Sequence, residues 1–280
     1  MRRHLLTLTA LLGALALGAP SASAAEGPQW AQAGTSYTDT LGGGQGLASR
    51  ADGSLLHRGL LDIPLDLRIK GWNHVGDPDI TRGYVFDAYQ GADTATSKMY
   101  AVTTPSGKRY DYVHHLDPGE KVNNSFATVS PDGQWLVSGE WGDQNRLQVF
   151  PAPLLNPATP ATGGSLAQAG QISLDRPVRD IQGCDFVTAT RLVCASDDAS
   201  GALFPQSRPL LRVDLPHPLD GKPVTGSVTS LFGLPQKSVC TGTFEAEGVD
   251  YDPGSGTLRA EVIPPGVCAV ATTVYAYRQQ

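Results

Sequence analysis

The sequence predicts an all-β fold, a β-propeller with five blades, on three observations. Glycine (32) and proline (21) make up nearly a fifth of the 280 residues, against about 12% in ordinary proteins, so the chain turns often and leaves few stretches for long helices. An opening made of a polar and then a small residue recurs ahead of strand-like stretches. It recurs about every 48 residues, close to the ~40–50 of a four-stranded blade. With 40% hydrophobic and 17% charged residues, the chain can bury a core and is too apolar to stay disordered.

Residues 1–24 read as a signal peptide. Arg2 and Arg3 form a basic start, Leu5 to Leu17 an apolar stretch, and Ala22-Ser23-Ala24 a cleavage site of small residues. The apolar stretch is too short to span a bilayer. The general secretory route and the twin-arginine route both fit this start, and either delivers a secreted, extracellular protein. Residues 25–40 form an N-terminal segment and 41–280 one propeller domain, expected to be a monomer. Thr35 to Leu41 should lie beside Thr273 to Tyr277, closing the ring and covering an edge strand.

The openings are Gln45-Gly46-Leu47-Ala48, Asn124-Ser125-Phe126-Ala127, Gln182-Gly183-Cys184-Asp185 and Glu247-Gly248-Val249-Asp250, with a looser copy at His74-Val75-Gly76-Asp77. Turns follow at Ala51-Asp52-Gly53, Pro131-Asp132-Gly133, Thr188-Ala189-Thr190 and Pro253-Gly254-Ser255-Gly256, each leading to a second short apolar strand. Third strands are expected at 146–150, 210–214 and 273–277. The stretch Pro151 to Gly164 reads as a surface loop, and Trp72, Tyr84, Phe86, Trp135 and Trp141 as packing between blades. A β-sandwich also has many short strands, but it does not account for the repeated opening.

All four cysteines, Cys184, Cys194, Cys240 and Cys268, lie beyond the leader, as suits an oxidising compartment. A hairpin turning at Ala189 would set Cys184 opposite Cys194. That favours Cys184–Cys194 with Cys240–Cys268 among the three possible connectivities.

In a propeller the innermost strands line the central channel, so residues at equivalent openings form a ring. Gln45, His74, Asp77, Asn124, Gln182 and Glu247 are the expected members. Acids facing one another there need a cation or a raised pKa. Ca²⁺ held by Asp77, Asn124 and Glu247 is one expectation. Another is catalysis by His74 as base, with Asp77 as its partner and Glu247 beside them. Gln45 and Gln182 would line the axis. The same residues also suit a plug that satisfies backbone groups and waters.

Gln45-Gly46-Leu47, Trp72-Asn73-His74-Val75-Gly76-Asp77, Gln182-Gly183 and Glu245-Ala246-Glu247-Gly248-Val249-Asp250 resemble a group of secreted bacterial propeller proteins with no assigned reaction, in which N-H-[IV]-G-D, Q-G and E-G-[IV] segments occur in this order. More distantly the chain is similar to calcium-dependent, gluconolactonase-type propeller lactonases, where an E-G step also opens a blade. The resemblance implies the blade architecture and a polar central site.

A net charge of −6 without a lysine-arginine run excludes a nucleic-acid footprint. No nucleophile elbow, zinc-protease helix, P-loop or dinucleotide fingerprint occurs. His114 and His115 sit before Asp117-Pro118-Gly119 and should face opposite sides of a strand. Asp77-Pro78-Asp79 and Asp250-Tyr251-Asp252 are calcium-loop fragments without EF-hand spacing. Two functions fit: a secreted, metal-assisted hydrolase or lactonase-like enzyme on a small anionic substrate, and a non-catalytic extracellular binding propeller that reads a cell-surface partner.

Overall fold

The computed structural model of the chain describes residues 29–122 and 126–280; the expected leader and Asn124 lie outside them. Strand dominates, and the helices are single turns such as Thr40–Gly43 and Leu65–Ile69. Among the described residues no helix is long and apolar enough to cross a membrane.

The chain begins with a strand, Trp30–Asp39, that pairs antiparallel with the last strand, Ala271–Gln279, with Thr35 opposite Tyr275 and Tyr37 opposite Thr273. Together with Glu245–Asp252 and Thr257–Ile263 these make a four-stranded sheet. The N-terminal segment is therefore the edge strand of the last sheet and begins earlier than Thr35. Next comes a hairpin, Gly46–Ser49 and Leu55–Arg58, which stays two-stranded. Where a blade would add outer strands, the chain turns at Gly59 into Leu60–Asp62 and Leu65–Ile69. A methyl group on Gly59 would lie 2.2 Å from the Leu41 carbonyl, so this crossing is too tight for a side chain. Arg58 instead reaches the next sheet through a 2.6 Å ion pair with Asp87.

That next sheet is a meander of Tyr84–Gln90, Ser97–Thr103 and Arg109–His115, with His74–Val75 and Asp79–Thr81 on its first edge and Gly164–Ser165 on its last. Two further runs share one eight-stranded sheet, because Gly170–Arg179 pairs in parallel with Val224–Gly233. One run is Thr128–Val129, Trp135–Ser138, Asp143–Pro151 and Gly170–Arg179. The other is Ile181–Thr188, Arg191–Ser196, Pro209–Asp214 and Val224–Gly233. Apolar side chains fill the space between sheets, with Phe126, Val137, Leu147, Ile172, Leu192 and Leu211 in the largest cluster.

Two expectations need correction. The Pro151–Gly164 stretch is not merely surface: Ala152 is fully buried, Leu154 and Leu155 pack on the core, and Asn156 Nδ2 donates to the Gln134 carbonyl at 2.9 Å. Trp141 does not pack between sheets. It is 52% exposed, carried outward by the bend before Gly142, whose φ of +71° favours glycine. Phe86 and Trp135 do pack inside.

Both disulfides pair as the spacing suggests. Cys184 and Cys194 face each other across a hairpin with Cα atoms 4.0 Å apart, and Cys240 joins Cys268 at 6.0 Å. Replacing both Cys240 and Cys268 with serine removes the link across 28 residues and should cost about 3 kcal/mol in the chain-entropy account, measured by urea unfolding.

Candidate functional site

The first strands of successive runs converge on one side chain, Asp77. Its Oδ1 accepts the Leu47 N–H and its Oδ2 the Val249 N–H, each at 3.0 Å. Its carbonyl accepts the Ala127 N–H at 2.9 Å, beside a parallel bridge to Phe126. Residues far apart in the chain are thus joined by one carboxyl group that is 1% exposed.

The glycines of the recurring openings are what allow this approach. A methyl group would lie 2.3 Å from Asp77 Cα on Gly46, 2.4 Å from Oδ2 on Gly183 and 2.4 Å from Oδ1 on Gly248. In these three openings the small residue serves close backbone packing, and this, more than the polar residue before it, gives the pattern a purpose. Burial pushes the Asp77 pKa well above the ordinary carboxylate range, while the two N–H donors pull the other way.

The expected His74–Asp77 pair does not form. Both Asp77 oxygens face backbone donors, and His74 Nδ1 is buried without a hydrogen-bond partner among the described residues. Burial is the one cause that lowers the His74 pKa, with no acid acting on it. Gln45 is half-buried and, among the described residues, its side chain reaches the neighbouring Gly44 carbonyl, at 3.4 Å; Gln182 is half-buried.

Glu247 is 8% exposed, and its carboxyl group has no hydrogen bond among the described residues. Burial pushes its pKa well above the usual range, and Glu245, Asp197 and Glu261 add to the shift. Asp197 is held by Arg208 Nε at 2.7 Å and by the Ala246 N–H at 2.8 Å. Glu261 is fully buried against His57 Nδ1 at 3.2 Å, its other oxygen unpartnered. Burial raises the Glu261 pKa to about 7 although His57 opposes it.

Past Asp77, where the first strands end, a second tier of acids appears that sequence reasoning did not assemble. Asp79 Oδ2 accepts the Val129 N–H at 2.5 Å, Asp185 Oδ2 the Tyr251 N–H at 2.6 Å, and Asp250 Oδ1 the Ser49 N–H at 2.7 Å. Each carboxylate caps a neighbouring first strand. Asp250 also takes a 2.8 Å bond from Arg259. Burial lifts Asp79 to about 7 and Asp185 well above its ordinary value, with Asp79 and Asp250 adding to the Asp185 shift. The signal was position: Asp79 stands two residues after Asp77, Asp185 two after Gly183 and Asp250 two after Gly248.

These three acids line a cavity of about 1050 Å³. Phe186 and Tyr251 contribute aromatic wall, and Arg50 and Arg82 also border it. None of Gln45, His74, Gln182 or Glu247 lines this cavity.

No protein-family model matches the chain, and no curated protein matches it. Among solved structures it is similar to the major allergen Mala s 1 of Malassezia sympodialis, at 12% identity over 76% of this chain and 59% of that one, with a TM-score of 0.42. It is similar to the arabinanase Arb43A of Bacillus subtilis, at 12% identity over 89% and 92% of the two chains and a TM-score of 0.44. For the periplasmic gluconolactonase PpgL of Pseudomonas aeruginosa the values are 16%, 62%, 46% and 0.35. None of these likenesses is strong enough to carry a site across.

Proposed function

We propose that the chain is an exported β-propeller of five blades that binds a small organic cation in the cavity beyond Asp77. Five first strands, Gly46–Ser49, His74–Val75, Thr128–Val129, Ile181–Thr188 and Glu245–Asp252, support the blade number. The leader and the two disulfides support export.

One observation carries the ligand assignment: a cavity of about 1050 Å³ lined by Asp79, Asp185 and Asp250, of which Asp250 has Arg259 while hydrogen bonds to Asp79 and Asp185 come from N–H and hydroxyl groups. Sites for small molecules fall at roughly 300–1000 Å³ and often hold titratable groups with shifted pKa values. A positive group entering there favours the ionised form of carboxyl groups that burial has pushed toward the protonated one. Phe186 and Tyr251 suit the apolar body of an alkylammonium. A small anionic substrate suits this lining poorly. Ca²⁺ shares the charge but fills little of the space.

Titration calorimetry at pH 8 with spermidine, and separately with Ca²⁺, tests the assignment. Spermidine should bind the wild type, and Asp185→Asn should weaken it by about tenfold or more, the equivalent of roughly 1.4 kcal/mol. Binding should also weaken at pH 6, where Asp79, with a pKa of about 7, carries a proton. No spermidine binding at millimolar concentration would overturn the assignment, and a response to Ca²⁺ alone would replace the organic cation with a metal ion.

Glu247 favours a second reading. A buried carboxyl group with a raised pKa keeps its proton to higher pH than an ordinary one and can donate it, which suits hydrolysis of a neutral, lactone-like substrate. Hydrolysis across a lactone panel that is lost in Glu247→Gln would support it, and an unchanged rate would remove it.

A further inference from the structure

The geometry points to a divalent transition-metal site of the zinc class at His114, Asp117 and Glu120, on the rim of the sheet that contains Arg109–His115. A tight turn assembles the three side chains. Asp117-Pro118-Gly119-Glu120 closes with the Glu120 N–H donating to the Asp117 carbonyl at 2.9 Å, and Gly119 takes a φ of +84° that favours glycine. The turn brings the Asp117 and Glu120 carboxylates round to His114, at the end of the strand. One ligand atom from each of the three lies within 4.8 Å of the other two. His114 and Glu120 are buried and Asp117 is exposed, so the cluster has a solvent-facing side.

The second observation is the orientation of the imidazole. His114 Nδ1 lies 3.0 Å from the Leu166 carbonyl, which can only accept, so Nδ1 carries the proton. In the neutral ring Nε2 then presents a lone pair, yet it sits 2.9 Å from Glu120 Oε2. That oxygen already accepts the Asp117 N–H at 2.9 Å, and the Lys98 ammonium lies 3.0 Å from Oε1 of the same carboxylate. Lys98, His114 and the Asp117 N–H all face this one carboxyl group, so each of its oxygens meets a cationic group or a donor. Two lone pairs at this distance require a positive charge between them, either a proton or a metal ion.

A carbonyl on Nδ1 with Nε2 aimed at carboxylates is the outer-shell arrangement that orients metal-binding histidines. The Phe150 ring, edge-on at 4.9 Å between centroids, fixes the imidazole further. Lys98 also donates to the Gly139 carbonyl at 3.0 Å and to Gln148, which keeps it on the far oxygen and leaves Oε2 to the ion. Bonds of about 2.0–2.2 Å set zinc ligands roughly 3.3–3.5 Å apart, so the Nε2–Oε2 gap needs to open by well under an ångström, and Asp117 closes in from solvent. One imidazole with two carboxylates favours zinc or cobalt over calcium. In the alternative state the proton on Nε2 bridges to Oε2, and metal entry would displace that proton to solvent.

The test uses the purified, chelator-stripped protein. Titration with Co²⁺ should give the visible absorption of a four-coordinate ion at one per chain, and Zn²⁺ should displace it. Binding in weak buffer should release about one proton. Asp117→Asn lies on the exposed side, should leave the circular dichroism spectrum unchanged, and should weaken binding by about 10- to 100-fold. His114→Gln should abolish the cobalt spectrum. Absence of stoichiometric cobalt or zinc binding by the wild type would overturn the site and leave a proton in the gap. Binding unchanged in Asp117→Asn would overturn it as well, even if His114→Gln failed to fold.

Discussion

Gly248→Ala is expected to cost at least about 3 kcal/mol, or to prevent folding. The added methyl group would lie 2.4 Å from Asp77 Oδ1 and 2.6 Å from Gly46 Cα. Neither neighbour is the end of a flexible chain. Moving Asp77 breaks its bonds to Leu47 and Val249, and moving Gly46 shifts the strand that carries Leu47. Gly34→Ala is the control, because its methyl group would meet only Ala276 Cβ, at 3.9 Å, and should change stability by about 0.5 kcal/mol or less. Urea unfolding of the two variants beside the wild type makes the comparison.

The second large effect is greater stability in mild acid than in mild base. Burial raises Asp79 and Glu261 to about 7, and lifts Asp185 and Glu247 well above their ordinary values. In the unfolded chain these groups titrate near 4. Between about pH 4 and 7 the native state therefore binds more protons than the unfolded state, and stability falls as pH rises. For Asp79 alone the loss is roughly 2–4 kcal/mol across that window. His57, raised chiefly by Glu261, acts in the same direction, because its contribution is lost as pH rises through its folded value. Glu120 and Glu140, both lowered, act in the opposite direction, and their contribution is lost as pH falls through their folded values. The melting temperature should be higher at pH 5 than at pH 8, with Asp79→Asn flattening the decline. A bound cation should raise the melting temperature more at pH 8 than at pH 5, because it favours the ionised carboxylates. Melting curves at the two pH values, with and without spermidine, check both expectations.

The local features were legible. The turn Pro131-Asp132-Gly133 fell where expected because its residues adopt the required angles cheaply, and Cys184 faced Cys194 because a short hairpin fixes its own register. Closure by the first strand was legible because an uncovered edge is a liability. The short second sheet was not, since what stops it is contact between Gly59 and the distant Leu41. The role of Asp77 was also hidden. Its partners Leu47 and Val249 lie 30 and 172 residues away, so nothing local to Asp77 marks them. The acids two positions on, and the joining of His114 to Glu120 and Lys98, depend on register across strands that no local pattern encodes.

Amide hydrogen exchange at Leu47 and Val249 tests most directly whether the Asp77 carboxyl group ties the first strands together. In the wild type these two amides should rank among the slowest to exchange, opening only with global unfolding. In Asp77→Asn one of the two N–H groups faces an amide donor in place of an acceptor, and protection at that position should fall by the equivalent of about 1–3 kcal/mol. Rapid exchange of both amides in the wild type, or protection unchanged in Asp77→Asn, would contradict strands held together by Asp77.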